Sequence, residues 1–571
     1  MKRIIILFAF FLQLITFNCY IHAQSAKSEK IYLHTDRSLY IAGENIFLKL
    51  YVLDAETGNV SDNSKSAYVI LKSTNSTAVI KARFDIKMGL GTGSFILPDT
   101  LQSGVYQFIA FTNLMKNNGE EMFFRKDIYI INRFDRTPDI KQNTDQTSDY
   151  KQSNTEEINS LKTDKSIYKT REKIKLGINL PVKNANLSVS VYEETPVSLP
   201  YTSLNEYFQN TPDTRYPESS ATYYASENKG KILRGTVVDS VTNKTVKDAI
   251  VLLSCIDSVP NLDYAVTNSS GLFQLLLTDY YNGKELYLTI QNVPVGEKWY
   301  IKTEDEFSIE KNDNSVQISA SGNYKDFVEK SKNIVYINKS YEPNNYLNSQ
   351  HDSKNTSNCP RFYNCEVITV IPAEYEPLNN FSEIVIELLQ QVRLSKESGK
   401  YRALMYNHTL GKFSQRNPAI FLDGVFVDDI QKLMDLGSEQ IKKIDLITDE
   451  RAFGDLIFGG MISVTSKTKA MINSKPASNS FRLMNDSPIG DKNYFTITQD
   501  VIQKNYLPCF KQLLYWNPNL EINDHEETLE FYTSDNEGNY IIRVEGITEN
   551  GKPVSYSTKI QVSNGTNSEI K

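Results

Sequence analysis

The chain has 571 residues, of which 40% are hydrophobic and 23% are charged. This composition excludes a disordered or collagen-like protein. The formal net charge of −7 comes from 62 Lys and Arg against 69 Asp and Glu without a large basic block, which argues against a nucleic-acid partner. Only five Cys and five His occur, which excludes a Cys- and His-rich metal protein, whereas 34 Tyr among many Val, Ile, Thr and Phe favour strands.

The N-terminus has the pattern of an export signal. Lys2 and Arg3 precede an apolar run over residues 4–17, which is too short to span a membrane comfortably. We therefore predict a signal peptide over residues 1–23, with cleavage after Ala23. No later run is apolar enough over 18 residues to form a membrane-spanning helix, so we expect no integral span after signal removal.

The cysteines leave two questions open. An alternative reading of the N-terminus is a lipoprotein with Cys19 as the lipidated residue, although the residues before it are larger than that processing favours. Cys359 and Cys365 are close enough in sequence to close a small disulfide loop in an oxidising compartment. Cys255 lies in an apolar strand pattern and is interpreted as a buried free thiol.

A short motif occurs twice in the first third of the chain. Thr-Asp-Arg-Ser-Leu-Tyr begins at Thr35 and Thr-Asp-Lys-Ser-Ile-Tyr begins at Thr163, and each copy is followed by a Glu at the same spacing. Such an offset indicates duplicated domains rather than a solenoid. Several short strand patterns separated by turn residues predict a β-sandwich over residues 26–134 and a shortened second copy over 158–195. The two motif Asp residues are interpreted as turn formers.

These residues carry a resemblance. The stretch Thr-Asp-Arg-Ser-Leu-Tyr-x-x-Gly-Glu resembles the opening of a macroglobulin-type domain of the alpha-2-macroglobulin family, and the C-terminal β segment over 480–565 is similar to the same family around Trp516. Protease-trapping members carry a thioester in a Gly-Cys-Gly-Glu-Gln-type motif. No such motif occurs in the sequence, so we expect no covalent protease trap.

The middle of the chain predicts a linker and a second kind of sandwich. Residues 196–230 contain several Pro and many Ser, Thr, Asn and Tyr without periodicity, which is typical of a linker. Strand patterns then begin at Ile232, and a turn at Gly271 separates two of them. The segment 231–340 resembles a carboxypeptidase-regulatory-like sandwich, which carries no peptidase site. A polar second linker is predicted over 341–364.

Residues 365–470 resemble the plug domain of TonB-dependent receptors. A helix is predicted over 381–392 from its apolar face. The resemblance rests on Phe-Leu-Asp-Gly-Val, then Ile-Lys-Lys-Ile-Asp, then Gly-Gly-Met-Ile-Ser-Val-Thr, with the motif residues Asp423, Gly424, Gly459 and Gly460. In that family the plug fills a barrel of about 22 strands. Too few residues follow the plug-like segment to encode such a barrel, so the implied transport function does not carry over.

The fold class expected from these patterns is mainly β, with tandem macroglobulin- or Ig-like β-sandwich domains and one small α+β plug-like domain. No paired His ligands, nucleophile elbow or phosphate loop is found, so we expect no enzyme, no catalytic residues, no metal and no cofactor. We predict a non-enzymatic exported protein, periplasmic or associated with the bacterial outer membrane. It would act there as an interaction or scaffold module for an envelope protein, such as an outer-membrane barrel. The alternative is an accessory substrate-binding component of a TonB-dependent uptake system.

Overall fold

The structure is a computed structural model, and it describes residues 28–73, 78–136, 140, 160–181, 183–210, 223–309, 318–341, 367–397, 400–469, 471, 479–490, 494–503 and 506–564. The chain forms two compact units, and it is mainly β, as the sequence predicts. Unit 1 comprises residues 1–228, 307–351 and 488–571, and unit 2 comprises residues 229–306 and 352–487. None of the described helices combines the length and the apolar character needed to cross a membrane.

Unit 1 begins with an eight-stranded β-sandwich. Its strands are β1 (Glu29–Thr35), β2 (Leu39–Ile41), β3 (Asn45–Asp54), β4 (Ser66–Ser73), β5 (Ala78–Lys87), β6 (Leu90–Ile96), β7 (Gly104–Phe111) and β8 (Phe124–Ile131). They are hydrogen-bonded in the order β1-β3-β6-β5-β4-β7-β8-β2. β2 runs parallel to β8, whereas the other pairs are antiparallel. Alternating apolar residues of these strands form one large core.

The chain continues in unit 1 with short strands and a helix. These are β9 (Leu161–Thr163), β10 (Ile167–Tyr168), β11 (Lys173–Asn179), β12 (Ala185–Glu193), β13 (Val197–Ser198) and α1 (Leu204–Asn210). The helix lies inside the predicted linker 196–230. Leu204 is fully buried and belongs to the core of the first sandwich, so this part of the stretch is packed.

Unit 2 begins with a smaller sandwich. Its first strands are β14 (Lys231–Asp239), β15 (Ile250–Cys255), β16 (Asp263–Val266), β17 (Leu272–Leu277), β18 (Lys284–Gln291) and β19 (Trp299–Thr303). One sheet has the order β17-β14-β19, and the other contains β16-β15-β18. The chain then returns to unit 1 with β20 (Ser319–Ala320), which pairs with β13, and α2 (Tyr324–Tyr341). Tyr324, Phe327 and Val328 of α2 share an apolar cluster with β2 and β8.

The plug-like segment of unit 2 combines one helix with short strands. Its elements are β21 (Ile368–Val370), α3 (Phe381–Leu388), β22 (Val392–Glu397), β23 (Lys400–Asn407), β24 (Lys412–Phe413), β25 (Ala419–Leu422), β26 (Val425–Phe426), β27 (Ile441–Ile447), β28 (Arg451–Phe453), β29 (Leu456–Phe458) and β30 (Met461–Ser466). The central sheet has the order β21-β27-β30-β25-β26. The helix predicted over 381–392 ends at Leu388, because Val392 already pairs with Met405 as the first residue of β22. Its N-cap is Asn380, whose side chain accepts a hydrogen bond from the backbone N–H of Glu383.

The last part of the chain serves both units. Its elements are β31 (Ser480–Asn485), β32 (Phe495–Thr496), α4 (Gln499–Gln503), β33 (Leu513–Ile522), β34 (Glu526–Tyr532), β35 (Gly538–Thr548) and β36 (Pro553–Val562). β31 pairs with β18 and completes the four-stranded sheet β16-β15-β18-β31 of unit 2. The remaining elements belong to unit 1.

The second sandwich of unit 1 is discontinuous in sequence. Its strands β9 to β12 and β33 to β36 are hydrogen-bonded as β34-β11-β9 and β10-β36-β35-β12-β33-β32. Matching β9–β12 to β1–β4 and β33–β36 to β5–β8 reproduces the pairing order of the first sandwich, including the parallel pair β10 with β36. The exception among the described residues is the pair β5 with β6, because the matching strands β33 and β34 lie in separate sheets. From the sequence alone, residues 158–195 are expected to form a shortened copy and residues 480–565 a separate segment. The structure joins them, because β12 pairs with both β33 and β35 around one apolar core.

The repeated motif forms the same turn in both sandwiches. Asp36 accepts hydrogen bonds from the Tyr40 hydroxyl at 2.8 Å and from the backbone N–H of Phe47 at 3.0 Å. Asp164 accepts the equivalent bonds from the Tyr168 hydroxyl at 2.7 Å and from the backbone N–H at position 175 at 2.9 Å. Each Asp therefore joins its Tyr to the strand that follows, as expected of a turn-forming residue.

Candidate functional site

A cleft of about 840 Å³ lies within unit 2. One wall is the loop after β18 together with the start of β19, including Trp299. The other walls come from the plug-like segment around Tyr401, Asn417 and Asp428, with Asn479 just before β31. The volume lies in the range of sites that bind small molecules, roughly 300–1,000 Å³.

Two aromatic side chains line the cleft. Trp299 is the first residue of β19, and its indole Nε1 donates a hydrogen bond to the carboxylate of Glu297 at 2.7 Å. Tyr401 lies on β23 and is half-buried. A ring that is half-buried and held by a hydrogen bond presents a fixed apolar face to a ligand at a low cost in conformational entropy.

The polar side chains of the cleft are also held in place. The Arg402 guanidinium donates through Nε to Asn417 at 2.8 Å and through Nη2 to the Gln415 carbonyl at 2.6 Å. Asp428 accepts a hydrogen bond from the Asn479 side chain at 2.8 Å. The cleft therefore offers fixed donors and acceptors, which is the arrangement that gives a binding site its specificity.

One polar atom of the wall is left without a partner. The side-chain oxygen Oε1 of Gln291 is buried and has no hydrogen bond within the described residues. A buried acceptor of this kind carries a free-energy cost that a ligand donor would remove.

The predicted motif residues Asp423 and Gly424 form the turn that leads into this wall. Asp423 has a φ of 52°, and its carboxylate accepts hydrogen bonds from the backbone N–H of Ser466 at 2.7 Å and of Met471 at 3.2 Å. Gly424 has a φ of 87°, and a Cβ there would lie 2.6 Å from the carbonyl oxygen of Asp257. The side chain of Asp423 is therefore structural, and the turn positions the cleft residues 426–430 that follow it.

The predicted pair Gly459 and Gly460 follows another cleft segment, residues 455–458. A Cβ at Gly459 would collide with the carbonyl oxygen of Arg416, and Gly460 has a φ of 115°, which other residues rarely adopt. Both glycines thus allow a close approach of backbone segments. The plug-like motif shapes the cleft but contributes no side chain to its lining.

The cysteines do not form a site in the described residues. Cys19, Cys359 and Cys365 lie outside these residues, so the lipidation and disulfide predictions remain predictions. Cys255 is a buried free thiol, and Cys509 is also buried. Burial raises the pKa of the Cys255 thiol, which keeps it protonated and unreactive.

A serine–histidine contact joins the two sandwiches of unit 1. Nδ1 of His34 on β1 lies 2.6 Å from Oγ of Ser188 on β12, and the Tyr51 hydroxyl donates to the same Oγ at 2.8 Å. Burial, and to a smaller degree the charges of Lys126 and Arg543, lower the pKa of His34 well below its usual value. His34 and Ser188 are fully buried, so no substrate reaches them, and the contact is a packing contact rather than a nucleophile with its base.

Sequence reasoning did not find the cleft residues. Trp299 and Tyr401 belong to different parts of the chain, and neither follows a recognisable motif. Asp428 and Asp429 both line the cleft, and Asp429 also caps the short helix Ile430–Leu433. The one available signal is the scarcity of Trp, since Trp299 is one of two in the chain.

Within the described residues, no group of three or more His, Cys, Asp or Glu side chains is arranged to hold a metal ion. No protein-family model matches the sequence, and no curated protein matches it.

Several solved structures are similar to the chain. Trypsin-activated alpha-2-macroglobulin from Escherichia coli matches at 8% identity and a TM-score of 0.24, over 94% of this chain and 42% of that chain. The native conformation of the E. coli protein matches at 9% identity and a TM-score of 0.24, over 94% and 40% of the two chains. A beta-glucosidase from Listeria innocua matches at 12% identity and a TM-score of 0.14, over 18% and 16%.

The chain thus spans less than half the length of the alpha-2-macroglobulin chains that it matches. At TM-scores this far below 0.5, the similarities establish neither a family nor a function for this chain.

Proposed function

We propose that the protein is an exported, non-enzymatic interaction module of the bacterial cell envelope, associated with the outer membrane and bound there to a protein partner such as a barrel. The observation that carries this proposal is the position of the unit 2 cleft beside a sheet edge. The strand β19 borders the cleft through Trp299 and pairs with β14 alone among the described residues.

An edge strand of this kind is suited to strand addition. β19 is five residues long and alternates between Tyr300, which is 41% exposed, and Ile301, which is buried. An extended segment of a partner can hydrogen-bond to such an edge through its backbone, beside the cleft.

The test is site-specific crosslinking in envelope membranes. A photo-crosslinking amino acid at Tyr300 should capture one defined envelope protein, identified by mass spectrometry. The matched control places the same group at Val241, which is strongly exposed on a turn of the same sandwich but does not line the cleft. Capture of the same proteins from both positions, or of none from Tyr300, contradicts the proposal.

The alternative, an accessory substrate-binding component of a TonB-dependent uptake system, is favoured by the fixed aromatic and polar lining of the cleft. This alternative expects the isolated mature protein to bind a soluble ligand without a partner. Binding that requires the crosslinked partner would contradict the alternative and support the first proposal.

A further inference from the structure

We propose that the unit 2 cleft binds a neutral oligosaccharide, with Trp299 and Tyr401 as its aromatic contacts. This inference rests on the proposal that the cleft is a binding surface. It assigns the cleft a ligand class that the fold alone does not indicate.

The first support is the pairing of aromatic faces with fixed polar groups. A sugar ring has one face of C–H groups, which packs on an aromatic ring, and an edge of hydroxyls, which both donate and accept hydrogen bonds. Trp299 is held by Glu297, while Arg402 is held by neutral acceptors and Asp428 by an amide. These groups offer donors and acceptors side by side, which matches hydroxyls better than it matches a ligand that only accepts or only donates.

The second support is the unpartnered oxygen of Gln291. Oε1 is buried and lacks a donor among the described residues. Because Oε1 has no accessible surface, a ligand hydroxyl reaches it only when the Gln291 side chain turns toward the cleft; the hydroxyl can then donate to it and accept from a neighbouring group at the same time. An aliphatic side chain of a peptide placed there would leave the oxygen unsatisfied.

The third support is the charge of the cleft. Positive and negative charges in the lining are nearly equal in number. The basic side chains are Lys298, Lys400 and Arg402, and the acidic ones are Glu297, Asp428, Asp429 and Asp455. A strongly charged ligand would meet like charges on part of the wall, and repulsion would offset the attraction. A neutral ligand avoids this cost.

The fourth support distinguishes a sugar from a peptide. Apolar residues that contribute to the lining, such as Ile420 and Phe426, are themselves buried in the core of unit 2. They therefore offer little surface to anchor a Leu or Phe of a peptide. The accessible apolar surface of the lining includes the half-buried rings of Trp299 and Tyr401, which suit stacking, and Ile457, which is 45% exposed.

The two tryptophans make a direct test possible. Trp516 is fully buried in unit 1, so Trp299 is the tryptophan that a ligand in the cleft can reach. The mature full-length protein is titrated with a panel of neutral α- and β-linked gluco-, manno- and galacto-oligosaccharides of four to six residues. Intrinsic fluorescence is followed, and calorimetry gives the affinity.

We expect at least one neutral oligosaccharide to shift the emission saturably in the wild type. The Trp299→Phe variant should lose the shift, and both Trp299→Ala and Tyr401→Ala should weaken binding by at least tenfold in calorimetry. Tyr375→Ala, an exposed residue of the plug-like segment outside the cleft lining, is the matched control and should bind like the wild type. Circular dichroism of each variant verifies that it is folded.

Two results would overturn the inference. One is that no neutral oligosaccharide in the panel binds at millimolar concentration. The other is that uronic-acid oligosaccharides or peptides bind more tightly than every neutral sugar. If either occurs while crosslinking from Tyr300 still captures a defined partner, the ligand class is wrong and the interaction proposal stands. If crosslinking also fails, the oligosaccharide inference and the interaction proposal are both refuted.

Discussion

Asp36 in the first sandwich and Asp164 in the second accept the same two hydrogen bonds, from a Tyr four residues later and from a backbone N–H eleven residues later. In both copies the Tyr hydroxyl also accepts from the backbone N–H of the basic residue next to the Asp, at 3.3 Å in the first copy and 3.0 Å in the second. The local geometry of the two turns is therefore the same.

The surroundings of the two carboxylates differ. Asp36 is fully buried, whereas Asp164 is exposed. Burial raises the pKa of Asp36 to about 6, although Arg37 and the two hydrogen bonds act against it. Partial burial acts to raise the pKa of Asp164 too, but the bonds from Tyr168 and the strand backbone, with the charge of Lys165, outweigh it and lower that pKa.

The reason lies in what covers each turn. Leu39, three residues after Asp36, is 2% exposed and packs in one apolar cluster with α2. Ile167, at the same position after Asp164, is 55% exposed. The same motif is thus part of a covered sheet edge in one sandwich and of an open edge in the other. Hydrogen bonding is set by the local sequence, and the sign of the electrostatic effect is set by burial.

The largest effect that separates the copies is a pH dependence of opposite sign. Because the pKa of Asp36 is about 6 in the fold and 3.8 when unperturbed, its contribution to stability is fully present below pH 3.8 and is lost as the pH rises through 6. The free energy of unfolding of the wild type relative to Asp36→Asn should fall by about 3 kcal/mol from pH 4 to pH 8. Urea unfolding across this range measures the difference.

Asp164→Asn provides the matched control for this pH prediction. Because the pKa of Asp164 is lowered, its contribution is present above pH 3.8 and is lost as the pH falls through the lower folded value. Relative to Asp164→Asn, the wild type should therefore gain stability as the pH rises from 3 to 5. Equal slopes for the two pairs would show that the two turns share one environment.

A smaller difference is expected when the motif tyrosines lose their hydroxyls. Tyr40→Phe removes one of the two hydrogen-bond donors to the buried Asp36 and takes the Tyr40 hydroxyl away from the backbone N–H of Arg37, and should cost about 2 kcal/mol. Tyr168→Phe should cost about 0.5 kcal/mol, because water can replace the hydroxyl at the exposed Asp164.

Hydrogen exchange of the peptides that contain Phe47 and Lys175 measures this difference locally, since each backbone N–H bonds to its motif Asp. Exchange that increases equally in both variants would refute the comparison.

The smallest effect concerns the basic residue of each motif. Arg37 is 9% exposed and pairs with Glu44 at 3.0 Å, whereas Lys165 and Glu172 form an exposed pair. Arg37→Met should lower stability by about 1 kcal/mol and raise the pKa of Asp36 further, whereas Lys165→Met should leave the stability unchanged. The free energy of unfolding at low and high salt checks this, because the attraction within an exposed ion pair is screened and contributes little to stability. A salt-sensitive loss in Lys165→Met would contradict it.

Local sequence patterns predict some parts of this fold and not others. The alternating pattern of residues 46–52 predicts a strand, and the residues of both motifs predict turns. The structure confirms both, because they depend on neighbours within about a dozen positions. The union of β12 with β33 and β35 could not be predicted in this way. More than 300 residues separate those strands, and no local signal states which edges will pair.

The candidate site shows the same division. Gly424, Gly459 and Gly460 are visible in the sequence as residues of the plug-like motif, and they occupy positions where a Cβ would collide with backbone. Trp299 and Tyr401 carry no such pattern, since a binding side chain on a half-exposed wall needs no periodicity and no special φ. Only the packing of the small sandwich on the plug-like segment brings them to one cleft.

By itself the sequence determined the mainly β class, the duplicated turn and the positions of its hydrogen-bonding residues, because these follow from side-chain alternation and short-range geometry. The tertiary structure decided which copy of the turn is buried, which distant strands complete the second sandwich and which side chains share the cleft. Burial and long-range pairing depend on the whole chain, and so the opposite pKa shifts of Asp36 and Asp164 emerge only when the fold is complete.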